Sequence, residues 1–433
     1  MRRGSRSTLF HCGRFGRGAK AQREDWTGFL GSWVMSGEWP LRRLTDVVSL
    51  PTGQVSPLRA PYKRQVLLAP DHIESGTGEI RKRETAESQG AVSGKYVVHP
   101  GDVVFSKIRP ALRKVALADF TGICSADMYP LRPGEDVIGG FVKAVLLGED
   151  FSRYVENLSG RTGIPKVNRQ DLAGFWFPVP PVEEQQRIIE VIGSVTELER
   201  GIEASIAKFH KLRKASLLAS MKSVESDQPA AGWARVPLKS IVPSAEYGIS
   251  AALDGDARGV PVLRMNNIQG ARFDVDDLRY CPVPVPSKFF LRCGDVLFNR
   301  TNSMEHIGKA AMWRDELPSA TFASYLVRLV PDLQRVTPEY LVEWLMHPLV
   351  RQRVRSTSTV AVQQVNVNPT RLRELEIDLP VDLAEQRRIV ATLEACDEQI
   401  GREEEELNKL RELKQGLVGD LLSGRVTTSG VVA

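Results

Sequence analysis

Two kinds of hydrophobic pattern alternate along this chain. Short runs rich in Val, Leu and Phe, "VVFSKI" from Val103, "KVALAD" from Lys114, "DVLFNR" from Asp295 and "SYLVRLV" from Ser324, are bounded by Gly, Asp and Pro and predict strands. Gly-Asp just before "VVF" and "VLF" is a turn signal. "PEYLVEWLMHPLVRQRV" from Pro338 has helical spacing, with Leu341, Leu345 and Leu349 on one face. The second pattern is longer. From Ile188, the positions Val191, Val195, Leu198, Ile202, Ile206, Phe209 and Leu212 follow in steps of three and four. Ile389, Leu393, Cys396, Ile400, Leu407, Leu410, Leu417 and Leu421 mark a second such stripe. Spacing of this kind with charges between predicts a coiled-coil seam. Each stripe is too narrow to fold alone in water, so the two are expected to pair with each other.

The patterns repeat in order. Trp39, Leu44, Val47 and Val48 match Trp233, Leu238, Ile241 and Val242 at an offset of 194. Gly101-Asp102 matches Gly294-Asp295 at 193, Val167-Asn168 with Leu172 matches Val367-Asn368 with Leu372 at 200, and "PPVEEQQRIIEVI" from Pro180 nearly returns as "PVDLAEQRRIVATL" from Pro380. Four markers in one order predict a duplicated unit, each copy a mixed block followed by one long helix. Pro180, Pro181 and Pro380 stop the preceding strands, and Glu183, Glu184, Asp382 and Glu385 suit a first helical turn.

The expected fold is α+β with an internal repeat: two mixed α/β blocks at 36–180 and 233–380, separated by two long coiled-coil helices at 181–223 and 381–424. Residues 224–232 read as a polar Pro/Gly linker and 425–433 as a flexible tail. A length of 433 residues fits two or three domains.

Charge and composition narrow the chemistry. The formal charge of +5 lies entirely in residues 1–35, where Arg2, Arg3, Arg6, Arg14, Arg17, Lys20 and Arg23 face only Glu24 and Asp25. The rest is neutral overall, so any nucleic-acid argument rests on local patterning. The leader lacks an apolar core with a small-residue cleavage site and is read as a disordered arm or a start-site artefact, with Met35 opening the ordered pattern. Five scattered cysteines without a CxxC pair argue against disulfides and zinc, and fit a reducing cytoplasm.

No catalytic signature emerges. "GAVSGKY" from Gly90 misses the spacing and hydroxyl of a phosphate loop. Asn368-Pro369 in "VNPT" reads as a helix cap rather than a base-holding motif, as does Asn168 ahead of Asp171. The six histidines form no metal-binding pattern. Basic residues interleaved with amides say more. Lys107, Arg109, Arg113 and Lys114 correspond in place to Asn299, Arg300, Asn302 and Lys309, and Lys107 and Arg300 occupy equivalent positions after Gly-Asp. Arg161, Lys166 and Arg169 are answered by Arg351, Arg353 and Gln364. Such residues supply phosphate contacts and bidentate base contacts, so these are the candidate DNA-binding residues.

Two mixed blocks, each followed by Pro and then Glu-Gln-x-Arg-Ile or its near match, resemble the specificity subunit of type I restriction-modification systems. The residues carrying the match are Pro180, Pro181, Glu184, Gln185, Arg187 and Ile188, then Pro380, Glu385, Gln386, Arg388 and Ile389, together with the helix ends "KLRKASLLASM" and "ELKQGLVGDLLSGR". The resemblance covers about residues 36 to 425. It implies two target-recognition domains reading halves of a split double-stranded DNA site, and two antiparallel spacer helices, in a pseudo-twofold repeat, docking two methyltransferase subunits and, in some systems, restriction subunits. Glu184, Gln185, Arg187, Glu385, Gln386 and Arg388 become candidates for that docking surface. It further implies no catalysis by this chain and no cofactor bound to it, with S-adenosylmethionine, ATP and Mg on the partners. A subunit of a fused methyltransferase-nuclease system and a coiled-coil scaffold that binds no DNA are the alternatives. Glu403, in "REEEEL", falls near the seam and is expected to loosen the pairing there.

Overall fold

The computed structural model describes residues 39–158, 166–361 and 364–428. The leader lies outside them. The chain forms two compact units, Met1–Arg200 with Asn408–Ala433 and Gly201–Leu407. Each is built around a four-stranded antiparallel sheet. In the first unit its order is Val48–Ser49, Met128–Pro133, Val103–Ser106, Val115–Leu117; in the second it is Ser244–Tyr247, Leu326–Val330, Val296–Asn299, Ala310–Met312.

The apolar runs are uninterrupted because both faces of these sheets are covered. Successive strand side chains point to opposite faces. Val103 and Phe105 enter one cluster with Tyr129 and Leu131, while Val104 enters another with Ala116 and Met128. The second unit repeats this, with Val296 and Phe298 in one cluster and Leu297 with Trp313 and Phe322 in the other. The Gly-Asp pairs start these strands. Gly101 and Gly294 take φ of 90° and 89°, a backbone open to glycine at little cost. Asp102 and Asp295 then accept the N–H three residues back (His99, 2.9 Å; Arg292, 3.0 Å). Each also pairs with an arginine of the neighbouring strand, Arg132 at 3.0 Å and Arg328 at 3.1 Å.

A second, three-stranded sheet shows where the copies diverge. Val66–Leu68 runs parallel to Gly122–Cys124, as Val260–Leu263 runs parallel to Thr321–Phe322. The third strand joins opposite edges: Tyr96–Val98 pairs with Gly122–Cys124, but Arg279–Cys281 pairs with Val260–Leu263. The helical stretch from Pro338 is two helices, Pro338–Met346 and Pro348–Ser356, because Pro348 cannot continue the first. Both expected caps form: the Asn168 side chain accepts from Asp171 N (2.9 Å) and that of Asn368 from Thr370 N (2.8 Å).

Two long helices, Val182–Ser220 and Leu383–Ser423, each contribute to both units. In the first unit Ile188 and Leu421 share a cluster, and Glu199 pairs with Lys414. In the second unit Leu217, Met221, Ile389, Val390 and Leu393 share one, and Arg213 forms ion pairs with both Asp397 and Glu343. Glu343 is buried, and burial raises its carboxyl above the ordinary range, with Arg213 opposing. Glu403 does not stand unpartnered: it accepts from Ser205 Oγ at 2.9 Å and Gln399 Nε2 at 3.0 Å, which lower its pKa. Leu198 and Leu212, expected in the seam, are 60% and 49% exposed.

The repeated helix opening is anchored by glutamine. Gln185 Oε1 accepts Ile138 N (3.0 Å), and its Nε2 donates to Asp136 O and Pro180 O, both at 2.8 Å. Gln386 does the same, with Thr337 N (2.9 Å), Arg335 O (2.9 Å) and Pro380 O (2.8 Å). Ile138 and Thr337 are the N-cap residues of helices Gly139–Leu147 and Pro338–Met346. Both glutamines are fully buried, so the expectation that they form part of a docking surface is corrected. Their spacing from Glu and Arg matched a solvent face, but the first turn of each helix is inserted beneath its block.

The ends of the two long helices carry contacts that the sequence did not mark. Val224 is fully buried, and Arg235 donates to the carbonyls of Ser223 (2.9 Å), Ser226 (2.7 Å) and Asp227 (3.0 Å), tethering the segment. Thr428, in the segment read as flexible, is buried against Glu184. Among the described residues no helix is long and apolar enough to cross a membrane.

Replacing Gln386 or Gln185 by Leu strips one N–H and two carbonyls of their partner. At on the order of 1–3 kcal/mol per unsatisfied buried group, partly relieved by relaxation, each change should destabilise by about 2–4 kcal/mol. Urea denaturation of the whole chain measures this, and a loss below about 0.5 kcal/mol would remove the anchoring role.

Candidate nucleic-acid interface

The first unit gathers some of its candidate cations and diverts others. Lys107 follows the strand Val103–Ser106 directly. Its N–H donates to Asp127 O (3.0 Å) and its carbonyl accepts Val167 N (2.8 Å). That second bond, with a bridge between Ile108 and Lys166, brings Lys107, Lys166 and Arg169 together. The Lys107 ammonium lies 5.1 Å from the Tyr129 ring centre and the Arg169 guanidinium 5.5 Å from it. Burial first, then Tyr96, raises the Tyr129 hydroxyl above its ordinary pKa, so the ring stays neutral beneath its two cations. Arg169 also donates to the carbonyls of Leu50 and Pro51.

Arg109 is exposed beside this group, at φ 48° ahead of the turn Pro110–Leu112. A non-glycine residue in that region costs on the order of 1 kcal/mol and persists only when its surroundings hold it. Arg113 closes the same turn at φ 48° and is turned inward, donating to Leu147 O at the end of helix Gly139–Leu147. Lys114 donates to Pro70 O at 2.7 Å. These two hold the block together instead of facing a ligand. Arg161 lies outside the described residues.

The second unit repeats the backbone clamp. Arg300 N donates to Tyr325 O (3.1 Å), and Arg300 O accepts Val367 N (2.8 Å), matching Lys107 bond for bond. Its guanidinium lies 5.1 Å from the Tyr247 ring centre and donates to Ser324 O at 3.4 Å. Tyr247 is 49% exposed, so the cation sits against an accessible aromatic ring. Asn302 is half-buried and accepts Ser303 N at 2.8 Å, and Lys309 is half-buried near it in sequence. Asn299 is fully buried and corrects its assignment, because the strand period turns its side chain inward. Arg351 donates to Glu305 O (2.7 Å) and Ile307 O (3.3 Å), supporting the loop after Asn302, and Arg355 adds a bond to Glu305 O at 3.1 Å. Burial, then the charge of Arg355, lowers the Arg351 pKa. Arg353 donates to Val224 O at 2.6 Å and is structural. The Gln364 side chain lies outside the described residues.

The structure therefore keeps Lys107, Arg109, Lys166 and Arg169 in one unit and Arg300 and Asn302 in the other as groups that can meet a ligand. Sequence reasoning missed the tyrosines. Lys107 and Arg300 share a clamp but take their rings from different strands, Met128–Pro133 and Ser244–Tyr247, so no fixed spacing marks them. A cation held over a ring keeps its outward N–H groups ordered, and the ring offers a stacking face. This arrangement can contact phosphates or base edges. At the helix starts, Glu184 and Arg187 pair at 3.1 Å and Glu385 and Arg388 at 2.7 Å, with both arginines exposed.

A family model described as the type I restriction modification DNA specificity domain matches residues 37–208 and again 233–412. The specificity subunit of the type I restriction enzyme EcoDI of Escherichia coli is 32% identical over 188 residues, 42% of this chain and 41% of that protein. That of EcoKI from strain K12 is 20% identical over 317 residues, 69% of this chain and 68% of that protein. The chain thus aligns with less than half of the EcoDI subunit's length. A solved chain from a study of complex assembly and conformational transition of the type I R-M system superposes with a TM-score of 0.63 at 23% identity, covering 90% of this chain and 98% of that one. The HsdS subunit from Thermoanaerobacter tengcongensis gives 0.50 at 22%, covering 90% and 97%. At these identities the likeness is one of fold. With its domain matched twice, over most of its length, the chain belongs to the type I restriction modification DNA specificity family.

Proposed function

We infer that this chain is the DNA-recognition subunit of a type I restriction-modification complex, reading a split double-stranded site and carrying no catalysis of its own. The observation that supports it most is the duplicated clamp. Lys107 and Arg300 are held by the same two backbone bonds in two sheets of the same order, each against a tyrosine. Two similar but unequal cation sites suit two unequal half-sites. On this reading the long helices are antiparallel coiled-coil spacers. At 39 and 41 residues they would each run about 60 Å, and a DNA turn is about 34–36 Å, so half-sites more than one turn apart come within their span.

Partners follow from the same proposal. Two methyltransferase subunits would dock at the repeated helix starts, where Arg187 and Arg388 are exposed. S-adenosylmethionine, ATP and Mg would belong to those and to a restriction subunit. The complex would work in the cytoplasm.

Single-molecule methylome sequencing of the host with and without the gene tests the reading: one split adenine motif should disappear, and an unchanged methylome would overturn it. Inserting one helical turn into both long helices should lengthen the unread gap in that motif, and an unaltered motif would exclude the spacer role. Lys107→Ala and Arg300→Ala should each weaken DNA binding by about 1–3 kcal/mol, with a flatter dependence on salt if the lost contact is to phosphate. Titration at several salt concentrations reads both. Absent or salt-insensitive DNA binding by the unaltered chain would instead favour a coiled-coil scaffold whose mixed blocks bind proteins.

A further inference from the structure

The two repeated Glu-x-x-Arg pairs differ in what lies against them. In the first unit the chain leaving the second long helix turns back onto the start of the first. Gly424, at φ 76°, passes so close to Trp39 that an added Cβ would lie 3.0 Å from its ring. Four residues on, Thr428 N and Oγ1 both donate to Glu184 Oε1 at 2.9 Å, and Oγ1 lies 2.8 Å from Oε2. Burial would raise the Glu184 carboxyl, but the Thr428 N–H and hydroxyl, with Arg187, bring it below its ordinary value. Thr428 is 2% exposed, and the Glu184 side chain is left at 13%.

In the second unit the corresponding chain, leaving the first long helix after Ser220, takes a different course, and Ser220, Lys222, Ser223 and Ala230 form one wall of a groove beside Glu385. Arg235 and Arg353 hold Ser223, Val224, Ser226 and Asp227 by their carbonyls. A groove of about 450 Å³ remains between the two helix ends, lined by Trp233, Glu385, Arg388, Ile389, Thr392 and Lys222 among others. Trp233, Glu385, Arg388 and Ile389 are the repeat counterparts of Trp39, Glu184, Arg187 and Ile188. Glu385 pairs with Arg388, and its side chain is 33% exposed.

We propose that this groove binds an extended peptide segment of a partner protein, whose threonine or serine donates its N–H and hydroxyl to Glu385 as Thr428 does to Glu184. The protein supplies the template in its own first unit: the same Glu-x-x-Arg pair beside the same tryptophan receives a main-chain N–H and a hydroxyl together. The carboxylate selects a donor-rich segment, and Arg388 beside it disfavours a basic residue at the contact. Arg388 also orients the carboxylate, as Arg187 does at Glu184. The inference stands whether or not the chain reads DNA.

A fluorescently labelled peptide with the sequence of residues 423–430, SGRVTTSG, titrated into the full chain by anisotropy, tests it without DNA. Saturable binding is expected. It should weaken about tenfold or more in Glu385→Ala and in a peptide with both threonines replaced by valine, less in Glu385→Gln, and not in Glu404→Ala, an exposed position of the same helix. Circular dichroism melts confirm that the variants fold, and Glu385→Gln keeps the helix start if the alanine variant does not. Absence of binding overturns the proposal. So does binding lost in Glu184→Ala but not in Glu385→Ala, which would mean that the peptide only exchanges with the chain's own tail.

Discussion

Each long helix is joined to its block through one buried amide near its start. Gln185 and Gln386 each satisfy one N–H and two carbonyls that burial would otherwise leave without water. The N–H belongs to the residue capping the helix packed on the sheet, and one carbonyl belongs to a proline at the end of the last strand (Pro380) or two residues past it (Pro180). A single side chain thereby ties strand end, capping residue and long helix into one joint. The acids beside it add dipole stabilisation of about 0.3–1 kcal/mol each. The glutamine, three residues into the helix, ties that start to its block.

The same economy governs the sheets. Gly-Asp sets the turn, the aspartate side chain closes it, and an arginine of the neighbouring strand neutralises that aspartate. These three parts recur as Gly101, Asp102 and Arg132 and as Gly294, Asp295 and Arg328. Because both faces of Val103–Ser106 and Val296–Asn299 are covered, these strands tolerate no polar alternation, and their last residue runs straight into the clamped cation. The strand therefore positions Lys107 or Arg300 by its rigidity, and the clamp fixes its backbone.

Much of this was legible in the sequence, for physical reasons that differ by element. The central strands were legible because two covered faces write an uninterrupted apolar run. The long helices were legible because a stripe needs only local spacing. The caps at Asn168 and Asn368 were legible because a cap acts within three residues. The glutamine joint was not, since the N–H partners of Gln185 and Gln386 lie 47 and 49 residues upstream and a polar residue in a first helical turn reads as solvent-facing. The inward turn of Arg113, Lys114 and Arg353 escaped for a related reason. Composition says that a basic residue needs an acceptor, but a distant backbone carbonyl leaves no mark on the sequence.

What varies between the copies is as informative as what repeats. The clamp on Lys107 and Arg300 is conserved bond for bond, whereas the ring beneath the cation comes from the strand opposite Phe105 in one unit and from an edge strand in the other. The three-stranded sheet likewise gains its third member at opposite edges. A frame that keeps a cation in place while its neighbours change separates stability from specificity. Substitutions around Tyr129 or Tyr247 can alter which contacts surround the cation without touching the glutamine joint or the Gly-Asp-Arg turn. On the proposed reading, that separation lets one chain carry two different half-site specificities on a single duplicated scaffold.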